Sequence, residues 1–100
     1  MHIALCKITL DLHEAQSLKT KRNILRSIKQ RLRQEFNVSI AEVDALDMLT
    51  RSVIAAVSVS NDPKYLDGQM QALLNTLERY FPGYIHDHEL FIEFADPHEE

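Results

Sequence analysis

The chain has 100 residues, 45% hydrophobic and 26% charged, the composition of one folded domain with a single small core. No apolar run approaches the length of a membrane span, and the one cysteine, Cys6, excludes an internal disulfide. The net charge of −4 is unevenly divided: residues 18–34 hold seven of the eleven Lys and Arg and no acid, and most of the acids lie after them.

The N-terminal stretch "MHIALCKITL" has no basic leader and too short an apolar run for a signal peptide, so a cytoplasmic protein is expected. "HIALCKITLDL" alternates, with Ala4, Cys6, Ile8, Leu10 and Leu12 on one parity, which predicts a strand with one apolar face. Ser17 is placed to cap a helix whose apolar residues recur at Leu18, Ile24, Leu25, Ile28, Leu32 and Phe36. "NVSIAEV" and "TRSVIAAVSVS" read as strands on either side of a loop at "DALDM". In "SNDPKYL", Asn61 or Asp62 caps a second helix with Pro63 at its first position. Leu66, Met70, Leu73, Leu74, Leu77 and Phe81 form its apolar stripe, interrupted by Gly68, and "FPG" ends it. "YIHDHELFIEF" alternates again as a last strand, and residues 96–100 read as a loose acidic tail.

The order βαββαβ with short connections predicts a ferredoxin-like α+β sandwich over residues 1–95. In it, four antiparallel strands carry two helices on one face. "SLKTKRNIL", "RLRQEFNVSIAEV" and "VSND", in that order, resemble the YlxP-like family of small bacterial proteins over roughly residues 3–94. The resemblance implies the same fold and a gene often placed among translation and ribosome-maturation factors. It implies no catalytic residues. The chain departs from the family pattern at Thr20, where Glu is usual, at Leu49, in a region where Trp is common, and at "HDHE".

Three candidate sites follow from the residues. At 100° per residue, Lys19, Arg22, Arg26, Lys29 and Arg33 fall within about an 80° arc beside the apolar stripe. Like charges at these spacings repel, so the ladder is expected to face a polyanion, with structured RNA or a ribosomal subunit as partner. A solvated face, or pairing with acids elsewhere in the fold, is the plainer alternative. Lys21 points nearer the apolar stripe, within reach of the same surface through the first turn. The second site is the open sheet face, expected to carry Ile3, Leu5, Ile54, Ala56 and Phe91, with Val53 and Val57 beneath the helices. One aromatic is too few for base stacking, so this face is read as a surface for self-association or a protein partner. The third is His13, His86 and His88, which the last strand would bring near Glu14; strand-end surface residues are the plainer reading, and no metal site is assigned. No nucleophile, base and oxyanion donor assemble, so a non-enzymatic accessory factor without a cofactor is expected, and the alternative is a dimerisation or protein-interaction module.

Overall fold

The computed structural model describes residues 1–96, in the order β1 (His2–Asp11), α1 (Leu18–Glu35), β2 (Ser39–Asp44), β3 (Arg51–Ser60), α2 (Pro63–Tyr80) and β4 (Ile85–Phe94). Of the expected acidic tail, residues 97–100 lie outside the described residues. The strands form one four-stranded antiparallel sheet in the order β2-β3-β1-β4, the ferredoxin-like arrangement. Among the described residues, no helix is long and apolar enough to cross a membrane.

Strand parity fixes the two faces. Ala4, Cys6, Ile8 and Leu10 of β1 are fully buried, and their partners in β3 are Ser58, Ala56, Ile54 and Ser52, also buried. Ile40 and Glu42 of β2 pair with Ala56 and Ile54, and Ile92 and Leu90 of β4 pair with Ala4 and Cys6. Directly opposed residues share a face, so all of these lie beneath the helices. Leu25, Ile28 and Leu32 of α1 and Leu66, Met70, Leu73 and Leu77 of α2 complete one core cluster with them.

The helix ends carry the expected chemistry. The Ser17 hydroxyl accepts from the Thr20 N–H at 3.0 Å, and the Asp62 carboxylate accepts from the Lys64 N–H at 2.9 Å. Pro63 stands in the first turn of α2. After α2, Gly83 takes φ +81°, a conformation that costs a residue without Cβ little.

This register corrects the reading of β3. Ile54 and Ala56, expected on the open face, are fully buried in the core, and the open face of β3 carries Val53, Ala55, Val57 and Val59. The strand is apolar on both parities, so alternation gave no polar side to orient it. The buried hydroxyls settle the register. Ser52 donates to Glu42 at 2.7 Å and Ser58 donates to the Asn37 carbonyl at 2.9 Å, so both buried hydroxyls of β3 under the helices have a partner.

Candidate nucleic-acid interface

α1 buries Lys21, Leu25, Ile28 and Leu32, a stripe with 4-3-4 spacing. One residue further on, Arg22, Arg26, Lys29 and Arg33 repeat that spacing. They line a groove of about 770 Å³ with Leu25, Gln30, Gln34 and Glu42. β2, an edge strand, supplies Glu42, so the groove runs between α1 and the sheet edge. From Arg22 to Arg33 the helix rises about 16 Å. Lys19, the fifth residue of the expected ladder, is exposed but does not line the groove.

The ladder is held in place without being neutralised. The Arg33 guanidinium donates to the Ile40 carbonyl at 2.8 Å, and the Arg26 guanidinium donates to the Asn23 side-chain oxygen at 3.3 Å. Among the described residues, Arg22, Arg26, Lys29 and Arg33 make no ion pair. The acid nearest them along α1, Glu35, pairs with Arg31 at 3.7 Å, and Arg31 also lies 3.9 Å over the Tyr80 ring.

Glu42 would oppose a polyanion, but its charge is met from below. Lys21 is 2% exposed, and its ammonium sits 3.1 Å from the Glu42 carboxylate. The same ammonium donates to the Met48 carbonyl at 2.6 Å and the Ala45 carbonyl at 2.7 Å. Lys21 is therefore turned inward and does not join the ladder. It fastens the loop between β2 and β3, where Ala45 holds φ 60° and Asp44 accepts from the Ala45 N–H at 2.8 Å. Leu46, Met48 and Leu49 stand exposed on that loop. The role of Lys21 had a sequence signal: it lies four residues before Leu25 and seven before Ile28, on the buried stripe. The role of Glu42 had none beyond its place in "AEV".

The open sheet face carries Ile3, Leu5 and Phe91 as expected, joined by Val57, Val59 and Ala41. The charged pair on β1 and β4 there, Lys7 and Glu89, stands 3.8 Å apart and half exposed.

The histidines do not converge. His88 pairs with Ile8 and so lies on the helix side. A register shift opposite Thr9 and Leu10 leaves His86 without a partner in β1, so the two no longer alternate regularly. His13 packs edge-on to Tyr84, 6.3 Å between centroids. No group of three His, Cys, Asp or Glu comes together to hold a metal among the described residues. Tyr84 donates its hydroxyl to Glu14. That bond, with burial and the charge of Glu14, pushes the phenol up to about 12. Burial pushes the Cys6 thiol up to about 11, so it is not a poised nucleophile.

The family described as "Protein of unknown function (DUF503)" matches residues 3–90. The chain is 30% identical over 69 residues to the "Uncharacterized protein YlxP" of Bacillus subtilis (strain 168), covering 69% of this chain and 75% of the relative. Its backbone is similar to the crystal structure of an antibiotic biosynthesis monooxygenase, with a TM-score of 0.54 at 14% identity. That alignment covers 97% of this chain and 100% of the other, and at such identity it speaks for the fold alone. Since the family match spans nearly all of the sequence, the chain belongs to the DUF503 family.

Proposed function

We propose that the protein is a non-enzymatic accessory factor that docks on structured RNA, on a ribosomal subunit in particular, through the groove between α1 and β2. The observation that carries this reading is the basic wall, which makes no ion pair among the described residues. Arg22, Arg26, Lys29 and Arg33 line one groove, and the acid in it is already engaged by a buried lysine. A helix under selection for solvation alone interleaves acids with bases, which relieves the repulsion that this ladder retains. Arginine suits phosphate because its fork offers two parallel N–H donors. Contacts of this kind position a protein on a nucleic acid without reading its sequence.

Co-sedimentation with ribosomal subunits across a salt series tests the proposal. Four neutralised phosphates give a log–log slope of roughly −3 to −4. Arg22→Glu with Arg26→Glu, both exposed, should abolish association and leave the fold intact. A wild-type protein that ignores ribosomal subunits and RNA even at low salt refutes it.

A second reading concerns the open sheet face, which we take to meet a second copy of the chain. The middle of the face is apolar, with Ile3, Leu5, Val57 and Phe91 side by side, and the adjoining Lys7 and Glu89 give a two-fold partner complementary charges. Leu5→Lys or Val57→Lys should then halve the mass in solution, and an unchanged monomer in wild type and variants rejects it.

A further inference from the structure

Beside the basic ladder runs another. Asn23, Ser27, Gln30 and Gln34 each follow one of its members by a single residue, and all four are exposed. They repeat the same 4-3-4 spacing, so the neutral stripe is turned about 100° from the basic one and displaced by one residue's rise. Gln30 and Gln34 belong to both surfaces. They line the groove with the ladder, and they line a shallower hollow of about 210 Å³ with Ser27 and Arg31. Asn and Ser are poor helix formers compared with the Glu, Lys or Ala that an exposed helical position would otherwise favour. What these four share is a neutral donor and acceptor, the groups that bond hydroxyls and base edges.

We infer that α1 engages an A-form RNA duplex across its minor groove. The basic ladder lies on the phosphates and the Asn23–Ser27–Gln30–Gln34 stripe on 2′-hydroxyls and base edges. The inference rests on the RNA reading above and names its substrate class. The chemistry selects the duplex form. The A-form minor groove is wide and shallow and presents 2′-hydroxyls in a row, whereas B-form DNA offers a narrow groove without them. Single strands are read chiefly by stacking on aromatic side chains, and neither stripe contains one.

The test measures anisotropy with one sequence in four forms: RNA duplex, DNA duplex, 2′-O-methyl RNA duplex and single-stranded RNA. The methylated duplex keeps A-form shape and loses the hydroxyl donor, which separates hydroxyl contact from shape. Wild type should prefer the RNA duplex over DNA and over the methylated duplex by roughly ten-fold, the worth of a few neutral hydrogen bonds. Gln30→Ala with Gln34→Ala should bring both ratios near one and leave the salt slope unchanged. Circular dichroism checks that this variant folds, and the methylated duplex probes the hydroxyls on the wild-type protein alone. Equal wild-type affinity for RNA and DNA duplexes, tighter binding of the single strand, or an undiminished preference in the variant overturns the inference and leaves phosphate docking standing. No binding to any of the four at low salt overturns both, as expected of a face that meets an acidic protein.

Discussion

Lys21 shows what a buried charge requires. Its ammonium has the Glu42 carboxylate and loop carbonyls as partners, and Ser52 donates to the same carboxylate. Removing one member of such a pair leaves the other charge uncompensated, so Lys21→Met should cost about 3 kcal/mol in urea denaturation. Glu42→Gln added to Lys21→Met should cost clearly less than the sum of the two single changes, because the orphaned carboxylate is then gone. Additivity would show that the pair is not coupled. Cys6 gives a pH dependence with a definite sign. Burial raises its thiol from 9.0 to about 11, so the folded state keeps a proton that the unfolded chain releases between those values. The stability from the neutral thiol is complete below pH 9 and falls as pH rises toward 11. The stability difference between wild type and Cys6→Ala should therefore shrink across that window by about 2 kcal/mol. A constant difference would contradict it.

At the scale of elements, α1 and β3 show what the sequence makes legible and what it hides. α1 was readable because its stripes differ in chemistry, so the period of 3.6 residues separates apolar from basic positions. β1 was readable for the same reason at period 2, with Lys7, Thr9 and Asp11 on the face away from the core. β3 was not, since Val53, Ala55, Val57 and Val59 compete with Ile54 and Ala56. Ser52 and Ser58, which look like the solvent side, are buried on hydrogen-bonding partners. A central strand between two other strands has no solvated edge to break that tie. The groove was half legible: the ladder could be counted, but the edge strand opposite it and the neutralised Glu42 depend on tertiary register. α2 carries a simpler prediction. Gly68 is exposed in mid-helix, and an added Cβ would meet nothing within 4 Å. Gly68→Ala should therefore raise stability by about 0.5–1 kcal/mol, read as a later thermal or denaturant midpoint. A loss would mean that α2 needs the flexibility there.

For the whole molecule, the charge asymmetry and the open sheet act together. The net charge of −4 makes the protein repel a polyanion from most directions, and the basic residues gathered on α1 turn that repulsion into orientation. The helices cover one side of the sheet and the apolar face lies on the other, so two chains joined through their sheets would carry their α1 grooves on opposite outer sides. Under the proposed function, such a dimer would engage two RNA segments rather than one. Linking two sites raises apparent affinity only where one ligand can reach both. A duplex too short to bend around the dimer should bind wild type and a Leu5→Lys monomer alike. A long folded RNA that reaches both grooves should bind the dimer more tightly, by roughly 10²-fold. The gain should vanish when Arg22→Glu and Arg26→Glu are placed in one chain of a mixed dimer, since one groove then stands empty. Equal affinity of monomer and dimer for long RNA would mean that the two faces act independently, with the sheet serving only to hold the pair together.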